Sequence, residues 1–232
     1  MKTVRNEKLI KRNARIGQWT SLAALGVLGI GMYISFKRPD LFFYSIGALI
    51  VGFMMTQIGM FFSNRWGRSP RPDEQLDAAL KGLPGETVAY HFVTPVSHLL
   101  VGPAGLWILQ PYHQRGKLTY SKNRWRLSGG GFMQAYMTIF GQEGIGRPDL
   151  EIENEISSLK KYLAKEMDET EIPEIQAALV FTNEQIEIDE TEEMPWPALK
   201  VKQLKDFMRQ KGKDRILAPL VLEKVKSILP AE

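Results

Sequence analysis

Ser97 and His98 set a hydroxyl beside an imidazole, the two partners of nucleophilic catalysis, in a chain of 232 residues with three histidines and no cysteine. Adjacent strand residues point to opposite faces, so this pair cannot act as nucleophile and base on one another. The missing cysteines exclude disulfides and thiolate metal sites. His91, His98 and His113 leave little material for a histidine-rich metal centre. His91 alternates with the apolar residues of its segment and is expected at the surface. No HExxH, Gly-x-Ser-x-Gly or Walker pattern occurs. The run Ser128-Gly129-Gly130-Gly131 is not followed by the Gly-Lys-Ser/Thr helix start of a phosphate loop, and reads as a turn.

The densest pattern lies at residues 96–118, VSHLLVGPAGLWILQPYHQRGKL. Two apolar runs, His98 to Val101 and Leu106 to Leu109, flank Gly102-Pro103-Ala104-Gly105. Glycine permits positive φ and proline presets its own, so the segment predicts a β-hairpin. The arrangement resembles the NERD (nuclease-related) family, whose pattern is roughly I-D-H-x-x-V-G-P-x-G-x-x-x-I-E-x-K-x-x-x-G. His98, Val101, Gly102, Pro103, Gly105, Leu109 and Gly116 fall in register with it.

The resemblance implies an α/β fold of the restriction-endonuclease type, a mixed sheet flanked by helices. It also implies Mg²⁺-dependent phosphodiester cleavage, in which carboxylates hold a hard cation that activates water. This chain departs from the family where the chemistry resides. The family's Asp falls on Ser97, its Glu on Gln110 and its Lys on Tyr112. A neutral hydroxyl, amide and phenol carry no charge to attract Mg²⁺. The family's first-helix acid falls on Asp73, beside Glu74, and a later helix position falls on Glu151. A site rebuilt from Asp73, Glu74 and Glu151 with His98 or His113 is one outcome. The other, favoured, is that these acids merely complement helix N-termini.

The elements around this hairpin begin with two apolar stretches. Residues 17–36 hold no charge in 20 positions, and residues 41–62 none in 22. About 20 apolar residues cross a bilayer as a helix. The four-residue link Lys37-Arg38-Pro39-Asp40 predicts an antiparallel transmembrane hairpin, and the second span argues against a cleaved signal peptide. Six Lys/Arg precede the first span and three follow the second before residue 72, against two in the link. That asymmetry places both termini in the cytoplasm. Residues 1–16 are expected as a basic tail suited to anionic headgroups. The spans contain no ionisable residue that would mark an ion path. Ala48, Gly52 and Thr56 recur every four residues, a small-residue face for packing on the first helix or for self-association.

Residues 63–71 read as a linker, 72–212 as the NERD-like domain and 213–232 as a C-terminal helix. Within the domain, helices are expected at residues 73–83 and 148–166, the second with Ile152, Ile156, Leu159 and Leu163 as one buried stripe. Ile175 to Phe181 reads as an interior strand. Glu184 to Glu193 is acidic and expected as a solvated loop. The aromatic and methionine-rich run 132–140 either packs on the sheet or touches the bilayer surface.

The whole chain is +4 and its first 40 residues are +6, leaving residues 41–232 at −2. The bulk positive charge of a DNA-binding domain is therefore missing from the soluble part, which makes nucleic acid an unfavoured partner. The expected function is that of an integral membrane protein with two spans and a cytoplasmic NERD-like domain. It lacks catalysis and cofactor and acts in binding or scaffolding, with the lipid bilayer and possible protein contacts as partners. The alternatives are a Mg²⁺-dependent nuclease with a rearranged site and a membrane assembly element acting through its helical hairpin.

Overall fold

The computed structural model describes residues 1–129, 144–189, 191, 193–214 and 216–231. The run 132–140 and the glycines 130 and 131 lie outside them. The chain divides into two units, one of residues 7–71 and one of residues 1–6 with 72–232.

The first unit is a helical hairpin. Helix α1 (Glu7–Lys37) and helix α2 (Phe42–Phe62) are joined by a 3-10 turn at Pro39–Leu41. Both are long and apolar enough to cross a membrane, and only 11% of each apolar window is buried. A core helix of a soluble protein would bury most of that surface. Phe36 and Phe43 are 79% and 84% exposed, so the greasy side chains point outward. What the helices bury against each other is small: Gly17, Ala24 and Gly31 on α1, and Ser45, Gly52 and Gly59 on α2. Each set repeats every seven residues, the period of a left-handed helix pair. Ser45 Oγ donates to the Gly31 carbonyl at 3.0 Å. A Cβ on Gly52 would stand 2.6 Å from Leu28, so the backbones approach too closely for a larger residue. Of the four-residue face expected from Ala48, Gly52 and Thr56, Gly52 lies in this seven-residue seam and Ala48 borders it, against Gly31.

The second unit is a three-layer α/β domain. Its main sheet runs β1 (Lys2–Arg5), β2 (Val88–His91), β3 (His98–Gly102), β4 (Gly105–Tyr112), β7 (Ile175–Phe181), β9 (Ala198–Lys200). Only β3 runs against the others. A smaller sheet orders β6 (Arg124–Ser128), β5 (Gly116–Ser121) and β8 (Ile186–Ile188). Strand alternation sorts the core onto two faces. Leu106, Ile108, Leu179 and Phe181 face one side and pack with helix α4 (Pro148–Leu163) and helix α6 (Pro219–Ile228). Trp107, Leu109, Ala178 and Val180 face the other and pack with helix α3 (Pro72–Leu80) and helix α5 (Leu204–Asp214).

Several expectations need correction. Residues 1–16 are not a free basic tail: Lys2–Arg5 form the edge strand β1, parallel to β2, and the helix begins at Glu7. The basic residues obscured a strand in which Val4 is buried while Lys2, at the strand's start, stays exposed. The C-terminal helix expected within residues 213–232 is present as α6, and Leu222, Val225 and Leu229 enter the main core. The acidic stretch 184–193 contains β8, anchored by fully buried Ile186. His91 is 1% exposed rather than at the surface.

Candidate functional site

The hairpin at residues 98–112 forms as its residues dictate. Leu99 stands opposite Ile108 and Gly102 opposite Gly105, with Pro103-Ala104 at the tip. Gly105 has φ +102°, which a side chain would resist. Beyond the tip, β4 carries Gln110 and Tyr112 on the same face as Ile108, toward α4. Tyr112 stacks on Phe181 with ring centroids 5.4 Å apart.

Gln110 and Tyr112 satisfy each other. The Tyr112 hydroxyl donates to Gln110 Oε1 at 3.0 Å, and Gln110 Nε2 donates to Glu155 Oε2 at 3.4 Å. Burial pushes the Tyr112 phenol well above its ordinary range, and the charges of Glu151, Glu155 and Asp149 push it further. Tyr112 is therefore a neutral donor at any physiological pH. Ser97 lies just before β3, half-buried, and its carbonyl accepts the Phe92 N–H at 2.9 Å. Glu155 was not foreseen from the sequence, although it sits one helical turn beyond Glu151 and so shares its face.

Asp73 and Glu74 belong elsewhere. Both stand in the first turn of α3, on the opposite face of the sheet from Gln110 and Tyr112. Asp73 is fully buried and pairs with Arg5 Nε at 3.3 Å. Arg5 also pairs with Asp77, one turn further along α3. Asp77 Oδ1 accepts from Thr3 Oγ1 at 3.1 Å and from His91 Nε2 at 3.0 Å. His91 Nδ1 in turn meets His98 Nδ1 at 2.9 Å. This network ties β1, α3, β2 and β3 together at the end of the sheet where the chain leaves at Asn6 and returns at Pro72. Burial raises the Asp77 carboxyl, but the hydrogen bond and charge of His91 and those of Arg5 together hold it below its ordinary value.

The six positions singled out in the sequence thus separate into Gln110, Tyr112 and Glu151 on one face and Asp73 and Glu74 on the other, with Ser97 in the loop before β3. His113, just past the end of β4, is not part of the His91–His98 pair. Among the described residues, no three His, Asp or Glu side chains converge in a way that could hold a metal ion. Chemically, the Gln110–Tyr112–Glu155 chain can donate and accept hydrogen bonds, while the buried His91–Asp77–Arg5–Asp73 chain offers ion pairing within the fold. Comparison with protein-family models, with curated proteins and with solved structures found no match to this chain.

Proposed function

We propose that this chain is a membrane-anchored, cytoplasm-facing NERD-like domain that has given up phosphodiester cleavage and works by binding or scaffolding. The observation that carries it is the Gln110–Tyr112–Glu155 chain of hydrogen bonds. Where the family pattern calls for charge, an amide and a phenol close on each other. Asp73, the carboxylate that would compensate, is spent on Arg5 across the sheet. A divalent ion needs several oxygens aimed at one point, with room for its waters.

The membrane part of this proposal draws on two supports. Both helices of the hairpin expose their apolar surface and bury small residues. Residues 6 and 72 leave from and return to one domain, which requires the outer ends of α1 and α2 on one side of a bilayer. The nine-to-two excess of Lys/Arg at those ends makes that side the cytoplasm.

Two experiments test the proposal. The first assays the full chain, reconstituted in lipid nanodiscs, for nicking of single- and double-stranded DNA and RNA with Mg²⁺ and with Mn²⁺. The expected result is no turnover. Cleavage abolished by Asp73→Asn or Glu151→Gln would overturn the proposal in favour of a rearranged nuclease. The second uses the cysteine-free background. Single cysteines at Asp40 and Glu223 are challenged in intact cells with a membrane-impermeant maleimide. Asp40→Cys should label and Glu223→Cys should not; the reverse pattern would invert the topology.

A further inference from the structure

Helix α5 presents two parallel rows with a spacing of four residues. One row, Leu204, Met208 and Gly212, faces the sheet. The first two members are 0% and 2% exposed and pack on the core. At the third, where the pattern calls for another large apolar side chain, there is none. The second row, Lys205, Arg209 and Lys213, runs along the edge of the first.

A cavity of about 690 Å³ lies beside Gly212. It lies at the Gly102–Gly105 turn, the end of the sheet opposite Arg5 and His91. Its apolar walls come from Leu83, Leu100, Trp107 and Met208. The Trp107 indole is held by its Nε1–H donating to the Ala104 carbonyl at 2.9 Å and by edge contact with Phe207. Two of the lining residues, Arg209 and Lys213, are cations, and among the described residues no carboxylate lines the cavity. Arg209 is positioned by a bond to the Gly82 carbonyl at 3.4 Å and a 3.6 Å pair with Asp206.

Gly212 is not explained by backbone geometry or crowding. It lies inside the helix and has no positive φ. A Cβ there would meet Ala104 at 3.8 Å, an ordinary contact. A glycine within a helix loosens it relative to alanine, so the fold alone favours a side chain at this place. The glycine borders a space of the size, apolar lining and sparse polar rim typical of small-molecule sites.

We propose that this cavity binds a small amphipathic organic anion, with its apolar body against Trp107 and Met208 in the space beside Gly212 and its carboxylate on Arg209 and Lys213. The two cations at an otherwise apolar mouth give the charge complement, and a guanidinium can grip a carboxylate in two-point fashion. The site is independent of the Gln110–Tyr112 network, which lies on the other face of the sheet.

The probe is 4-phenylbutyrate, titrated into the full chain in zwitterionic nanodiscs and followed by calorimetry, with empty nanodiscs subtracted. Saturable binding is expected in the millimolar range or tighter. The neutral isostere 4-phenylbutyramide should bind at least fivefold more weakly. Arg209→Gln/Lys213→Gln should erase that difference, and Gly212→Leu should weaken the butyrate at least tenfold while raising the melting temperature or leaving it unchanged. Should Gly212→Leu fail to fold, labelling of the wild type with a diazirine-bearing phenylbutyrate decides: insertion should map to peptides carrying Leu100, Trp107 or Met208. Absence of saturable binding, equal affinity for the amide, or labels confined to other peptides would overturn the proposal.

Discussion

His91 Nδ1 lies 2.9 Å from His98 Nδ1, and the two imidazoles are buried to 1% and 3% exposure at opposite positions of the β2–β3 pair. One nitrogen must donate and the other accept, so a proton on each would set two N–H groups against one another. Because Asp77 accepts from His91 Nε2, a neutral His91 offers a bare Nδ1 and His98 supplies the N–H. Arg5 reaches the same carboxylate from the opposite side. Four elements are thereby locked where the chain passes between the domain and the helical hairpin.

Asp77 makes stability depend on acid. Its carboxyl is held below its ordinary value, so its contribution is present above the unfolded-state pKa of about 3.9 and is lost as pH falls through the lower folded value. Asp77→Asn should destabilise the full chain by about 1–3 kcal/mol at pH 7, the worth of hydrogen bonds to a charged group. The gap between variant and wild type should close below pH ~4. Thermal unfolding across pH 3–8 measures it, and a constant gap would remove Asp77 from the account.

Arg5→Ala should be costlier than its place in an edge strand suggests. It strips an ion pair from Asp73, which is fully buried, and from Asp77. Removing one partner of a buried pair typically costs about 3–5 kcal/mol, and Arg5 is partly exposed, so the low end is expected. Lys2→Ala, on the same strand but exposed, should change stability by less than about 0.5 kcal/mol. Equal effects in chemical denaturation would mean that β1 matters only as backbone.

Placing an acid at Gln110 should harm this chain. Gln110→Glu would set a second carboxylate against Glu155, now 3.4 Å from the Gln110 amide. Like charges at that range raise one of the two pKa values. Stability would be retained below the unfolded-state value of about 4.3 and lost as pH rises through the raised folded value. A melting temperature lower than wild type at pH 7 and recovering toward pH 4 is the expected signature. A pH-independent effect would argue against the Gln110–Glu155 contact.

Tyr112→Phe removes a hydroxyl that donates to Gln110, at a cost of about 1 kcal/mol near neutral pH. Its alkaline behaviour is more diagnostic. The folded state holds the phenol neutral while the unfolded chain ionises near pH ~10. Wild-type stability should therefore fall as pH rises above ~10, and Tyr112→Phe should lack that part of the slope. Unfolding melts at pH 9–11.5 compare the two.

The helix seam can be read by cross-linking in the cysteine-free chain. A Cβ on Gly31 lies 2.8 Å from the Ala48 Cβ, so a small separation of the helices brings Gly31→Cys/Ala48→Cys into disulfide range. Gly26 has no neighbour within 4 Å of its Cβ position, so Gly26→Cys/Ala48→Cys should stay reduced. Oxidation followed by mass analysis of the intact chain separates these outcomes, and cross-linking of both pairs alike would contradict the seven-residue seam.

Much of the domain could be read from local pattern. The stripe Ile152, Leu159 and Leu163 is buried on α4, the run Ile175–Phe181 is an interior strand, and Gly102-Pro103-Ala104-Gly105 turns the hairpin. These signals are local, set by period, turn chemistry and side-chain volume. The edge strand at Lys2–Arg5 was hidden because its partner, Val88–His91, lies more than 80 residues away and no nearby residue announces it. His91 looked like a surface residue for the same reason: its burial depends on Asp77 and His98 arriving from other elements.

The division is sharpest at the two groups of polar residues. Amino-acid types alone establish that Ser97, Gln110 and Tyr112 bring no charge to the hairpin, because ionisation is a property of the side chain. They establish equally that residues 17–36 and 41–62 are long and apolar enough to span a bilayer, because hydropathy and helical rise are local. Which acids meet which bases was decided only by the folded sheet. Residues two apart on a strand share a face and residues on opposite helices do not, so Tyr112 meets Glu155's partner Gln110 while Asp73 is carried across the sheet to Arg5.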